Sequence, residues 1–283
     1  MIAKTKPINV SMDVYDFAVT GNIDAFKKAI NDEDINTCDQ FGDSLLHLAA
    51  RFGHIEIMAL LLAKGAQINA INYFNSTPLH EAVQGDQLEA VKMLMANNAD
   101  ANMQDDNGNS ALHLACKQSD EAFLKVLIKE KLKINLPNKA GKTPLHCAAY
   151  YSNPVCISLL VDGGAEINAK NIYGDTPLHV AAHVGRTAEV KHIIRKGADI
   201  HMTNLVGRNA LHAAVEFCQE FSSLKLVTSA LLNAGVDLNA KDLSGATVLE
   251  IAKNKYDEET FCDYMEYCKY HNKMAQLSEE AKH

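Results

Sequence analysis

The stretch "GDTPLHVAAHVG", Gly174 to Gly185, sets His179 and His183 four residues apart in a run with helical spacing. Two imidazoles one turn apart on a helix invite a metal or acid/base reading. The decision lies outside these twelve residues. His47, His80, His113, His146, His179 and His212 follow one another at intervals of 33 residues. A fixed period of that length marks a repeat architecture, in which each copy is one small supersecondary unit and neighbours bury each other's apolar faces.

Other positions keep the register. Leucine precedes every histidine of the series (Leu46, Leu79, Leu112, Leu145, Leu178, Leu211), and alanine stands two residues after it (Ala49, Ala82, Ala115, Ala148, Ala181, Ala214). Five residues before it stands Gly42, Asn75, Gly108, Gly141, Gly174 or Gly207. A seventh copy, Gly245 to Ala252, keeps Leu249 and Ala252 after five extra residues, but has Glu250 in the histidine's place.

The residue chemistry gives each copy the same local plan. Ser44, Thr77, Ser110, Thr143 and Thr176 have the side-chain oxygens of N-caps, and Pro78, Pro144 and Pro177 follow at the first helical position, where no amide donor is needed. A second helix carries aliphatic pairs expected to face the core: Leu61/Leu62, Leu94/Met95, Leu127/Ile128, Leu160/Val161, Ile193/Ile194 and Leu231/Leu232. It stops at Gly65, Asn98, Gly164, Gly197 or Gly235, residues that accept the left-handed conformation of a helix C-terminus, with Lys131 as the exception. Between copies, segments such as "NAKNIYGDT" pair an Asn or Asp with a glycine, the ingredients of a tight turn.

"STPLHEA", "KTPLHCAA" and "DTPLHVAA" resemble the ankyrin repeat, which has this 33-residue length and a T-P-L-H signature. The resemblance covers residues 13 to 254. It implies an all-α solenoid: a curved stack of helix-turn-helix pairs with projecting β-hairpin loops along one edge. The sequence then divides into an N-terminal tail at 1–10, a repeat domain at 11–254 with atypical capping copies at both ends, and a C-terminal helix with a frayed tail at 255–283. In that last segment Phe261, Met265 and Cys268 are spaced for one apolar face.

Two irregularities stand out. The copy around His113 has Ser119 in place of an inter-helix glycine and Lys131 in place of a helix-ending one, which predicts the softest point of the stack. The copy around His212 carries five extra residues near "CQEFSS", read as a longer helix or loop, or as a partner-specific contact.

Catalytic and metal chemistry find no support. Histidines one per copy are spaced by the helix-packing distance of about 10 Å, too far to share a metal, and His183 lacks the glutamate of a zinc-protease helix. Cys262, Cys268 and His271 match no standard zinc spacing, and "DDNGN" at Asp105 to Asn109 reads as a hairpin turn, since Met103 occupies the first required calcium-ligand position. No GxxxxGK, GxGxxG or GxSxG occurs. The chain is read as non-enzymatic, with no cofactor and no metal. Asn36, Asn69, Asn102, Asn135, Asn168 and Asn239 recur too; the resemblance makes them candidate hydroxylation sites, and their ordinary role is to bond the loop after the second helix.

Charge narrows the partners. With 27 Lys and Arg against 35 Asp and Glu, the net charge is -8 and no basic stripe exists, which argues against nucleic acid. No apolar run of about 18 residues spans a membrane, and the start lacks a secretory apolar core. Seven scattered cysteines without a CxxC suit a reducing compartment. The expected location is the cytoplasm, or a host cell if the chain is a delivered bacterial effector.

Function is expected at positions the repeat leaves free. By the resemblance these lie seven, six and four residues before the histidine and four and five after it. They make up 35 residues in seven copies, yet hold 8 of the 18 aromatics, where an even spread would put about two. One patch comprises Phe41, Phe52, Tyr73 and Phe74. A second comprises Tyr150, Tyr151, Ile172, Tyr173, Leu205, Val206 and Phe217, edged by Lys142, Asp175 and Arg208. Exposed aromatics rimmed by charge mark protein interfaces, so the expectation is a two-part groove for a segment of another protein, the second patch being the stronger anchor. Packing between neighbouring hairpin tips is the competing use of these side chains. A homo-oligomer, or an effector acting on a host protein, is the alternative role.

Overall fold

The structure, a computed structural model, describes residues 12–30, 35–118, 121–128, 132–151 and 154–280. Ser119, Lys131 and the tail at 1–10 lie outside the described residues. The chain forms two compact units that meet between Lys139 and Ala140 in sequence. The first contains α1 (Met12–Thr20), α2 (Ile23–Ala29), α3 (Leu45–Arg51), α4 (Ile55–Ala63), α5 (Pro78–Gln84), α6 (Leu88–Ala96), α7 (Ala111–Gln118) and α8 (Glu121–Leu127). The second contains α9 (Pro144–Tyr151), α10 (Pro154–Asp162), α11 (Pro177–Val184), α12 (Thr187–Arg195), α13 (Ala210–Phe217), α14 (Phe221–Asn233), α15 (Val248–Lys255) and α16 (Glu258–Glu280). In each unit, helices pack as antiparallel pairs and each pair stacks on the next. The expected all-α repeat stack is borne out, and no sheet forms among the described residues.

The histidine series explains the stacking. In His47, His80, His113, His146 and His179, Nδ1 accepts the backbone N–H of the cap residue three positions earlier, at 3.1 to 3.3 Å. The cap hydroxyl lies 2.8 to 2.9 Å from the same nitrogen. This is a capping box with imidazole in place of the usual carboxylate or amide. Because an amide only donates, Nδ1 is unprotonated and the proton sits on Nε2. There it reaches the next copy: His47 donates to the carbonyl of Ser76, His80 to Asn109, His146 to Asp175 and His179 to Arg208, at 2.9 to 3.0 Å. One ring thus caps its own helix and joins its copy to the following one.

The end of the series follows from this double duty. Glu250 accepts the Thr247 N–H at 2.7 Å and makes an ordinary capping box. A carboxylate does the capping half of the task, and the element after α15 is the long helix α16, not another repeat tip. His212 departs in another way. Asn209 caps α13 with Oδ1, which accepts from the amides of Leu211 and His212 and lies 2.7 Å from His212 Nδ1. An acceptor facing Nδ1 places the proton there, and Nε2 is left buried without a partner.

Tips between copies are fixed by a second recurrent device. Asp39, Asn72, Asp105, Asn171, Asn204 and Asp242 each accept two backbone amides on one side-chain oxygen, from the residues two and four positions on. Adjacent tips are tied by single backbone bonds, such as Tyr73 N–H to Phe41 O and Leu205 N–H to Tyr173 O. The turn needs a left-handed residue: Gly174 has φ 78°, and a Cβ on it would lie 2.7 Å from the Leu205 nitrogen. Asn75 takes the same place with φ 54°.

The asparagine series behaves as an ordinary loop tie. Oδ1 of Asn36, Asn69, Asn102 and Asn168 accepts the amide of Gln67, Asp100, Lys133 and Asp199 in the following copy.

Two sequence expectations need correction. In five of the six aliphatic pairs only the first residue is fully buried, because the second is rotated about 100° around the helix; Leu231 and Leu232 are both buried. The buried face of α16 centres on Tyr264 and Cys268, with Phe261 and Met265 half-buried. The helix runs to Glu280. The five extra residues lengthen α14 to 13 residues, against nine in α10 and α12, and this length seats α16. Thr228 and Tyr264 share a buried hydroxyl–hydroxyl bond of 2.8 Å, Ser229 meets His271 at 3.2 Å, and Lys225 pairs with Asp263.

Two predictions follow from the imidazole joints. His146→Gln keeps a capping box but cannot reach Asp175, and is expected to cost about 1–3 kcal/mol in urea unfolding, whereas Glu250→Gln changes stability by about 0.5 kcal/mol or less. Burial holds His47, His80, His179 and His212 below the ordinary histidine value of 6.5. The unfolded chain therefore takes up protons first as pH falls through 6.5, and stability drops from there down to the lowered folded values. Thermal midpoints measured across this window are expected to be flat above it and to decline within it.

Candidate functional site

In the second unit, three successive copies leave a cavity of ≈ 530 Å³ between their tips and their first helices. Its floor is Val180 of α11 and Ala213 of α13, both buried. Tyr150 stands at the end of α9, with the Lys142 ammonium 5.5 Å from its ring centroid. Tyr173, Leu205 and Val206 overhang from the tips, and His183 and Phe217 complete the wall at the ends of α11 and α13.

The tip geometry sets these side chains outward. Once Asn171 and Asn204 have taken up the turn amides, the residues at the apex have backbone partners and nothing beneath them, so Tyr173 is 62% exposed and Leu205 67%. Adjacent tips meet through backbone bonds and in part through side chains, such as Ile172 against Gly141, while Tyr173 and Leu205 keep most of their surface in water. The helix ends are ordered by ring contacts: Tyr150 and Tyr151 meet edge to face at 4.9 Å, and His183 stacks on Phe217 at 4.3 Å and 8°.

Polar groups at the rim are held by one another. Arg208 pairs with Glu216 of α13 and, through Nε at 3.0 Å, with the Asp242 carboxylate of the next tip. Bonds from Ser244 and Arg208 hold that carboxyl well below the usual carboxylate range. Asn204 donates to Asp175 at 2.9 Å. The guanidinium is raised by the same two carboxylates, so it stays charged and fixed.

Of the residues singled out in the sequence, Lys142, Tyr150, Tyr173, Asp175, Leu205, Val206, Arg208 and Phe217 line this cavity. Tyr151 and Ile172 are exposed in the same unit but do not line it. Phe41, Phe52, Tyr73 and Phe74 are exposed in the first unit. Beside them Arg51 bridges Asp43 and Glu81 at 2.9 and 2.8 Å, which places the Arg208–Glu216 pair at the same repeat positions with the charges exchanged.

Sequence reading passed over Val180, Ala213, His183 and Glu216 as site residues. The first two follow the series histidine directly, a position occupied by Leu48, Glu81, Leu114, Cys147, Val180 or Ala213, and that variation was the available signal. His183 and Glu216 occupy free positions but carry no aromatic ring of the kind counted. Among the described residues no three His, Cys, Asp or Glu side chains come together as metal ligands, and no helix is long and apolar enough to cross a membrane. Burial pushes the Cys147 thiol up to about 11, so it is an inert packing group.

A family model described as ankyrin repeats in three copies matches residues 16–105, 86–171 and 178–265. Among solved structures the chain is similar to the ankyrin repeat domain of Bcl-3, described as a unique member of the IkappaB protein family. That likeness has a TM-score of 0.67 at 26% sequence identity and covers 80% of this chain and 100% of the other. A search of curated protein sequences returned no match. Joined to the imidazole-capped helix pairs, family matches that together span most of the sequence show that the chain belongs to the ankyrin-repeat family.

Proposed function

We propose that the protein is a non-catalytic adaptor that binds a segment of another protein at the cavity of the second unit, with Tyr150, Tyr173, Leu205, Val206 and Phe217 as anchors. Ankyrin-repeat domains are in general protein-interaction modules. The observation that carries the more specific reading is an apolar cavity of ≈ 530 Å³ roofed by aromatic and aliphatic side chains that their own fold leaves in water. Clustered exposed apolar groups of this kind gain most by being covered, and Tyr and Phe are the residue types that dominate binding energy at interfaces.

The rim supports the same reading. Arg208, Glu216 and Asp242 are already paired, so a partner meets them without having to organise them. Phe41, Phe52, Tyr73 and Phe74 supply a second exposed surface in the first unit. Residues 11–254 form the binding module in this account, and α16 packs on its last repeat through α14 and α15.

The test is affinity capture with the wild type and with a Tyr150→Ser, Tyr151→Ser, Tyr173→Ser variant. Captured proteins are expected to be lost from the variant while its far-UV circular dichroism is unchanged. An undiminished set of captured proteins would contradict the assignment.

A further inference from the structure

His183 is an ionisable side chain of the cavity wall with an aromatic ring laid flat against it. Its imidazole stacks on Phe217 with centroids 4.3 Å apart and planes 8° from parallel. The charged groups that face it come from every neighbouring element: Asp175 and Lys142 from two tips, Glu216 from α13, and Arg208 from the tip before α13. Glu216 is engaged by Arg208, Asp175 accepts from Asn204, and Lys142 lies over the Tyr150 ring.

We infer that the cavity takes an uncharged, apolar segment of the partner, and that seating this segment is linked to loss of a proton from His183. The inference rests on the binding role proposed above and adds the chemistry of the occupant. Each rim charge already has a contact: Arg208 lies between Glu216 and Asp242, Asp175 accepts from Asn204, and Lys142 lies over the Tyr150 ring, so a charged ligand group would have to displace one of these contacts or remain unmatched in an apolar hollow. An apolar segment costs no such exchange. It covers the His183–Phe217 stack, and a neutral imidazole presents much the same flat surface as the phenyl ring beneath it. A protonated ring would be stripped of water by the same occupant.

The opposing influences leave that direction intact. Asp175 and Glu216 favour the protonated ring and Lys142 disfavours it, but burial is the largest effect and already holds His183 below its ordinary value. An apolar cover increases burial and adds no counter-charge. A carboxylate in the cavity would act in the reverse sense and draw a proton onto the ring.

Three probes with one ring system separate these cases: neutral indole, anionic indole-3-propionate and cationic tryptamine. Each is titrated into the full chain at about pH 7.5 and about pH 5.5, following the NMR signals of Val180, Leu205, Phe217 and the His183 ring. Indole is expected to shift the cavity signals, to move the His183 titration downward, and to bind more weakly as pH falls through that titration. In His183→Phe, which keeps a flat ring on Phe217, indole is expected to bind with no such pH dependence. Tighter binding of indole-3-propionate than of indole, strengthening as pH falls, overturns the inference and leaves the cavity as a binding surface. A His183 titration that bound indole leaves in place overturns the proton linkage. Cavity signals that none of the three probes moves overturn both this inference and the binding role.

Discussion

The copies around His47, His80, His146 and His179 each depend on one buried imidazole with its two nitrogens in different roles. Nδ1 completes the N-terminus of its own helix by accepting the cap amide, and Nε2–H satisfies a carbonyl 29 residues further along the chain. A helix start leaves amides without partners, and a buried carbonyl without a donor costs about 1–3 kcal/mol. Histidine resolves both deficits with one side chain because it alone combines an acceptor and a donor on opposite sides of a rigid ring. Leucine before it and alanine after it then fix the packing distance, and the same unit repeats.

That joint separates scaffold from surface. The capping box and the Asx turns use up the backbone groups near each tip, so the apex side chains are released from structural duty. Substitution there changes the surface without unmaking the stack. The pairs four residues before and four after the series histidine show how freely this position set varies: Asp43 with Arg51 in one copy, Lys142 with Tyr150 in another, Arg208 with Glu216 in a third. The cavity of the second unit is the place where three such copies bring aromatic and aliphatic choices together.

The period, the caps, the helix-ending residues and the exposed apices were legible in the sequence because each is dictated by a local rule repeated six times. Gly65, Asn98, Gly164, Gly197 and Gly235 all adopt positive φ for this reason. What was not legible depends on contacts between distant residues. The buried face of α16 turns on Tyr264 meeting Thr228, and nothing in the spacing of Phe261, Met265 and Cys268 announces that bond. The extra residues near Cys218 read as a loop or helix of no stated purpose until α14 is seen to match the long α16. Cavity residues were found where they lie at the tips and at the ends of the first helices, His183 and Glu216 excepted. Val180 and Ala213 were missed because a floor is made by small, ordinary side chains whose role appears only when walls rise around them.

The claim that the histidines are two-sided joints is most directly tested by the tautomer of each ring, read at about pH 7.5 from long-range proton–nitrogen-15 correlations. The account predicts the Nε2–H form for His47, His80, His113, His146 and His179, whose Nδ1 atoms accept cap amides, and the Nδ1–H form for His212, whose Nδ1 faces Asn209 Oδ1. Protonated rings, or a uniform Nδ1–H series, would contradict it.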